Sequence, residues 1–156
     1  LLKDYVSRNY GQISINCDKM LKHASRNLLK SSDEEILNIF SYPKADHVQI
    51  NNFNLNKNVK WGGDLSFNFQ LSSPDQDLGL LRLEYQIDHL KMNGAYHSKV
   101  FKISETLIKT KLKVVNRKHS FKKISVRKYY PGEHRVSIKL NGKIVLTESF
   151  DLLPDI

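Results

Sequence analysis

The chain has one cysteine, Cys17, among its 156 residues. One cysteine cannot form an internal disulfide or a cysteine-based zinc site. Low cysteine usage is typical of a reducing compartment, so we expect a cytoplasmic protein. No apolar run approaches the roughly 20 residues that span a membrane, so we expect no membrane partner. The opening residues, LLKDY, lack an initiator methionine and a signal peptide. This absence predicts that the chain is a piece of a longer protein.

Motifs for catalysis and cofactor binding are also missing. The chain has no glycine-rich phosphate loop and no nucleophile elbow. Its six histidines show neither HxxxH nor paired-carboxylate spacing, so we expect no metal and no other cofactor. Asp88 and His89 are adjacent in a predicted strand, where neighbouring side chains point to opposite faces, so they do not form a catalytic pair. We therefore assign no catalytic residue to this chain.

Acidic residues are scarce where basic residues are most frequent. The chain carries a net charge of +9 with an isoelectric point near 9.6. Residues Lys109 to Lys139 hold eleven lysines and arginines against one acid, Glu133, so this segment carries +10 and the rest of the chain −1. Charge concentrated in this way is typical of a surface that binds a polyanion.

Apolar residues recur at helical spacing in the first 41 residues. In NCDKMLKHASRNLLK this spacing predicts one helix, with Asn16 as its N-cap and Met20 on the apolar face. A second helix follows, because Ser31 and Glu34 have the spacing of a capping box, and Pro43 ends it. Two such helices cannot bury their own apolar faces. We therefore interpret residues 1–43 as the end of a helical repeat stack.

The apolar period changes from 3.6 to 2 after Ala45. Seven short alternating segments follow, separated by turn signals: HVQINNFNL, DLSFNFQL, LLRLEYQID, SKVFKI, KLKVV, HRVSIKL and KIVLTESF. Asn141-Gly142 is the strongest of the turn signals, because a type I′ hairpin needs two residues with positive φ. The predicted fold is mainly β: a seven-stranded antiparallel immunoglobulin-like sandwich over residues 46–152, preceded by the short helical stub.

Strand direction predicts where the basic residues gather. If each predicted strand reverses direction, the first, third and fifth connections lie at one end of the sandwich and the second and fourth at the other. The first end then holds Lys57, Lys60, Lys91, Lys122, Lys123, Arg127 and Lys128, with Arg117 and Lys118 just before the fifth connection. The second end holds Asp75, Asp77 and Glu105, so we expect it to be acidic. By contrast, Lys109, Lys111 and Lys113 have the ordinary pattern of a strand with one face in water.

Two structural readings of this basic end stay open. Its cations either bind phosphate groups or form a merely solvated loop. Trp61 either plugs the end of the sandwich core, which we favour, or stands exposed as a stacking residue.

Loop residues also carry a resemblance to a known family. RLEYQIDHLKMNGAYHSKVFKISE and NRKHSFKKISVRKYYPGEHRVSIKLNG are similar to the C-terminal portion of AlkC-type DNA alkylation repair proteins. These are HEAT-like-repeat DNA glycosylases with an immunoglobulin-like domain after the repeats. MLKHASRNLLKSSDEEILNIFSYP resembles the last repeat of that family. The resemblance implies a parent protein that excises alkylated purines, with its catalytic residues in repeats that this chain does not contain.

Two functions are compatible with these observations. The first is a non-catalytic accessory domain of such a glycosylase. It binds the sugar-phosphate backbone of double-stranded DNA without reading sequence, and it adjoins upstream helical repeats of the same protein. The second is an immunoglobulin-like interaction or structural domain that packs on the helical repeats or on an acidic partner. An immunoglobulin-like fold hosts many functions, so the fold alone does not separate the two.

Overall fold

A computed structural model of the chain describes residues 1–31, 33–40, 42–122 and 128–155. Within these ranges four helices come first: α1 (Leu2–Asn9), α2 (Ile15–Ala24), α3 (Arg26–Lys30) and α4 (Glu34–Ile39). Eight strands follow: β1 (Gln49–Leu55), β2 (Asn58–Val59), β3 (Asp64–Ser72), β4 (Gly79–Leu90), β5 (Tyr96–Ile108), β6 (Leu112–Ser120), β7 (Gly132–Leu140) and β8 (Lys143–Leu152). These helices precede Pro43 and these strands follow it, as the change of period predicts.

The helix predicted over residues 16–30 is interrupted at Ser25. Helical backbone bonds continue on both sides, from Ser25 N to Leu21 O and from Leu29 N to Ser25 O (3.0 and 2.9 Å). Ser25 itself has φ −87° and ψ 8°, which separates α2 from α3. Met20 is 59% exposed, whereas Leu21 is buried, so the apolar face is narrower than predicted.

The predicted helix caps are wrong by a few residues. Ser14, not Asn16, begins α2, because its hydroxyl accepts a hydrogen bond from Cys17 N at 3.1 Å. Asp33, not Ser31, begins α4 and accepts from Ile36 N at 3.1 Å. Serine, aspartate and asparagine cap helices about equally well, so the sequence offers several candidates within a few positions. Tertiary packing then selects the one that is used.

The strands form two sheets, which confirms the fold class. A three-stranded sheet has the order β1-β3-β6, and a five-stranded sheet has the order β2-β8-β7-β4-β5. Seven of these strands are the predicted ones. The structure adds β2, which pairs in parallel with β8 at Asp151 and Leu152. The predicted count of seven is therefore corrected to eight among the described residues, because a two-residue strand is too short to show alternation.

The sandwich core lies between the two sheets. Every second side chain of β3 points inward and is almost fully buried: Leu65, Phe67, Phe69 and Leu71. The Phe67 ring meets the Tyr85 ring of β4 across the core, edge to face, with the ring centroids 5.3 Å apart. Apolar and polar residues alternate along β3 because one face of the strand packs in the core and the other faces solvent.

The β7–β8 turn is the predicted hairpin. Asn141 and Gly142 have φ of +47° and +87°, as a type I′ turn requires. Asn141 is buried, and its side chain joins three segments. Its Oδ1 accepts from Arg82 N at 2.7 Å, and its Nδ2 donates to Leu80 O at 3.1 Å and to Pro43 O at 2.7 Å. The turn thereby fixes the chain between the helices and β1.

Hydrogen bonds from two cations hold the helical segment against the sandwich. Arg82 Nη2 donates to Leu29 O (3.1 Å) and Lys139 Nζ donates to Ser31 O (3.0 Å). These carbonyls lie at the C-terminal end of α3, where cations are favoured. Burial lowers the pKa of Lys139, and the nearby Glu84 carboxylate opposes that change. The boundary between residues 1–43 and 46–152 stays a prediction.

Candidate functional site

Three connections meet at one end of the sandwich. The β1–β3 connection (56–63) touches the β6–β7 connection (121–131) through a hydrogen bond from Phe121 N to Gly63 O, 2.9 Å long. Lys91 of the β4–β5 connection lines the same pocket as Lys128. Four exposed lysines in the described parts of these connections, which we call the basic end, are Lys60, Lys91, Lys122 and Lys128. Lys57 is exposed as well but lies beside acidic residues, so it is not included. The structure therefore brings together four of the nine predicted site residues.

A buried histidine ties two of these connections together. His134 is fully buried; its Nδ1 accepts from Leu90 N (3.2 Å), and its Nε2 donates to Tyr130 O (2.8 Å). These partners require a neutral ring with the proton on Nε2. Burial lowers the pKa of His134, although the bond to Tyr130 O opposes that change. Tyr96 adds a further link by donating its hydroxyl to Glu133 O at 3.0 Å.

Buried aromatic side chains pack against the start of the β6–β7 connection at the basic end. Phe121 is buried against the rings of Tyr129, His134 and Phe150. Trp61 is half-buried and packs against the same core, which agrees with the predicted plug. Packed rings hold the start of the β6–β7 connection in place, while Lys122 stays exposed.

Lys57 shares the end of the sandwich but lies among acids. Its carbonyl accepts from Asp151 N (2.7 Å), and its side chain lines a surface pocket of about 350 Å³ together with Glu133, Glu148 and Asp151. These carboxylates come from β7 and β8. They reduce the local positive potential, so Lys57 is a weaker candidate for phosphate binding than the basic end.

Arg117 and Lys118 lie on β6 rather than in a connection. Arg117 shares the inward phase of His119 but is exposed, and its Nη2 donates to Lys102 O of β5 at 3.5 Å. This bond joins β6, the edge strand of the three-stranded sheet, to β5, the edge strand of the five-stranded sheet. Lys118 is exposed and pairs in the β ladder with Ser66. Two further predicted residues, Lys123 and Arg127, lie outside the described residues.

Sequence reasoning missed one cation of this end. Lys99 of β5 lines the pocket that contains Lys91, Lys128 and Tyr130, and its Nζ lies 5.4 Å from the centroid of the Phe101 ring. It pairs with the buried Ile87 of β4, so it lies in the inward phase of its strand. The sequence signal for Lys99 is its position in SKVFKI, where alternation places a lysine on the inward face of an edge strand.

The opposite end differs from its prediction. Lys109 and Lys111 lie in the β5–β6 turn, not on a strand face, because β5 ends at Ile108 and β6 begins at Leu112. Backbone hydrogen bonds from Leu78 N to Thr110 O and from Ser73 N to Lys111 O join this turn to the connection that holds Asp75 and Asp77. Glu105 is bound by Arg82 and Lys102. This end is therefore of mixed charge rather than acidic.

Neither a metal centre nor a catalytic pair emerges from the part of the chain that the structure describes. In those ranges no group of three or more His, Cys, Asp and Glu side chains is arranged to hold a metal ion. Asp88 contacts Ser98 and Arg135 (2.5 and 3.4 Å), whereas His89 packs against Phe121 inside the sandwich. The two side chains thus point to opposite faces, as strand geometry predicts. None of the helices in the described ranges is long and apolar enough to cross a membrane.

The sandwich matches a known domain family. Residues 49–154 match the family described as the C-terminal Ig-like domain of uncharacterised protein YhaZ, and the chain belongs to that family. It is 39% identical over 146 residues to uncharacterized protein YhaZ of Bacillus subtilis (strain 168). The match covers 92% of this chain and 40% of the relative, so the chain spans well under half of that protein's length.

Two solved structures share the fold. The alkylpurine DNA glycosylase AlkC of Pseudomonas fluorescens, bound to DNA containing an abasic site analog, superposes with a TM-score of 0.81 at 22% identity. That match covers 97% of this chain and 44% of AlkC, so it includes the helical segment. A β-glucosidase from Listeria innocua, in complex with isofagomine, matches with a TM-score of 0.56 at 13% identity over 72% of this chain and 17% of the enzyme. At these identities the likeness is one of fold.

Proposed function

We propose that this chain is a non-catalytic immunoglobulin-like accessory domain of a DNA alkylation repair glycosylase, and that it binds the sugar-phosphate backbone of double-stranded DNA without sequence specificity. The observation that carries the proposal is the convergence of three connections into the basic end. AlkC, whose fold this chain shares, was solved with DNA bound. This supports DNA as the polyanion that the charge distribution suggests.

The lysines of the basic end are suited to phosphate. All four are exposed, and within the described ranges the ion pairs of the chain involve other cations, such as Lys3, Lys102 and Lys143. A duplex carries one phosphate charge per roughly 1.7 Å of axis, so one face of DNA offers several partners at once. Lysine binds phosphate as a point charge, and such contacts position a protein without reading bases.

The helical segment suggests where the rest of the activity lies. Several apolar side chains of α1 and α2, and of the turn between them, are exposed: Leu2, Tyr5, Ile13, Ile15 and Met20. An apolar surface of this kind suits packing against a preceding helical repeat of the same protein. In this proposal the longer protein excises the alkylated base, and this chain contributes binding.

A second candidate is a structural domain that only orients the helical repeats. The hydrogen bonds of Arg82, Lys139 and Asn141 to the helical segment and its linker favour it. Those bonds lie at the end of the sandwich opposite the basic end, so the two roles do not exclude each other. Salt-dependent binding of duplex DNA separates them, because a purely structural domain has no reason to bind phosphate.

The test is the salt dependence of duplex binding, measured by fluorescence anisotropy. Four phosphate contacts give a log-affinity against log-salt slope of about −3.6. Replacing Lys91, Lys122 and Lys128 with serine removes three contacts, so we expect a slope near −0.9. Since these side chains are in water, folding should be unchanged.

The matched control replaces Lys109, Lys111 and Lys113 with serine, which changes the net charge equally at the opposite end and along β6. We expect the control to keep a slope close to that of the parent. If the control weakened binding as much as the basic-end variant, the surface would be wrongly placed. If the parent did not bind duplex DNA at low salt, the structural role alone would remain.

A further inference from the structure

A small pocket lies within the basic end, between the start of β5 and the residues that precede β7. Its volume is about 200 Å³, below the roughly 300–1,000 Å³ of pockets that hold drug-sized ligands. None of its lining residues in the described ranges is acidic. Its lining residues include Leu90, Lys91, Lys99, Lys128 and Tyr130.

The walls of this pocket are fixed by buried contacts. His134 holds both walls at once, because it accepts from Leu90 N and donates to Tyr130 O. Gly132 lets the walls approach closely, since a Cβ at this position would lie 2.7 Å from Leu90 Cδ2. The pocket therefore has its shape before any ligand arrives, which lowers the ordering cost of binding.

Three lysines line the pocket. Lys91 follows β4, Lys99 lies on β5 and Lys128 precedes β7, so three separate segments supply the charge. Lys99 is steadied by the Phe101 ring, 5.4 Å from its Nζ, in a cation–π contact. Within the described ranges, none of the three forms an ion pair. Converging cations around a small pocket with an apolar wall suit one phosphate group with its attached sugar.

We propose that this pocket is a preformed site for a single backbone phosphate, with Lys91, Lys99 and Lys128 as its cations and the sugar against Leu90 and Tyr130. The source of the phosphate is DNA, so this part of the inference rests on the proposed function. Lys99 then shares the phosphate that Lys91 and Lys128 bind. Because the salt slope counts phosphates, the pocket contributes about −0.9 once. With Lys60 and Lys122 on two further phosphates, the expected slope of the parent becomes about −2.7 instead of −3.6.

The first measurement is the affinity of Lys99→Ser for duplex DNA at a fixed low salt concentration. We expect the affinity to fall by up to about fivefold, because one of three cations around the phosphate is lost while the other two still hold it. The control is Lys109→Ser, which removes the same charge from the β5–β6 turn and should leave the affinity unchanged. A Lys99→Ser affinity equal to that of the parent, in a parent that binds DNA, would overturn the pocket and leave the proposed function standing.

The second measurement does not need DNA. Inorganic phosphate is titrated into the ¹⁵N-labelled chain at constant ionic strength, and backbone amide shifts are followed. We expect the amides of Lys91, Lys99 and Tyr130 to move, those of Lys109 to stay, and the shifts to disappear in Lys99→Ser. Shifts spread evenly over the surface lysines would refute a built site. Shifts at the pocket without duplex binding would keep the phosphate site and refute DNA as its source.

Discussion

Asn141 offers a direct test of how the helical segment is attached to the sandwich. Its buried side chain makes three hydrogen bonds, to Arg82 N, Leu80 O and Pro43 O. Each is worth about 1 kcal/mol net, so Asn141→Gly should lower the free energy of unfolding by about 3 kcal/mol. Glycine tolerates the positive φ of this position, so the backbone adds little strain of its own. With a urea slope of about 2 kcal/mol per M, the unfolding midpoint should fall by roughly 1.5 M.

The chain contains its own matched control, Asn93→Gly. Asn93 also precedes a glycine in a turn, but it is exposed and its Oδ1 accepts a single bond, from Ala95 N at 3.0 Å. We expect that substitution to cost less than about 1 kcal/mol. Equal losses at the two asparagines would mean that the three buried bonds add nothing, and that the helical segment is not anchored through this side chain.

Two more predictions concern the residues that hold the pocket walls. Gly132→Ala should destabilise the fold by about 1–3 kcal/mol in urea titrations, because the added Cβ would meet Leu90 at a position whose φ is already +130°. Gly94→Ala should cost less, because nothing lies within 4 Å of a Cβ at that position. Burial lowers the folded pKa of His134 below the unfolded value of about 6.5, so the unfolded state binds more protons below that value. Stability should therefore fall as the pH drops through about 6.5, and less steeply in His134→Gln. A pH profile of His134→Gln identical to that of the parent would contradict this account.

The sequence predicts the strands well because alternation has a simple physical cause. Leu65, Phe67 and Phe69 face a dry core and the residues between them face water, so the period is visible without a structure. The meeting of three connections at one end is predictable for the same reason, since it needs only the reversal of each strand. Helix caps are harder to predict, because Ser14, Asn16 and Asp33 are chemically similar and lie near the places where a cap is needed.

The charge environment of single residues is not predictable from their neighbours in sequence. Lys57 has no acid near it along the chain, yet Glu133, Glu148 and Asp151 surround its pocket because β7 and β8 fold beside it. Lys99 shows the opposite case. In sequence it lies in a strand with other lysines near it, but strand pairing places it with Lys91 and Lys128. Long-range packing decides both environments, and no local pattern contains that information.

Paired and unpaired cations lie at opposite ends of the domain. At one end, Arg82, Lys102 and Lys139 are bound to carboxylates or to helix carbonyls, so their charge is used within the molecule. At the other end, the lysines of the basic end are exposed and have no ion pair within the described ranges. Charges that repel one another cost folding free energy unless a partner arrives. Hydrogen bonds to the helical segment at one end and unpaired charge at the other are the two properties that the proposed accessory role requires.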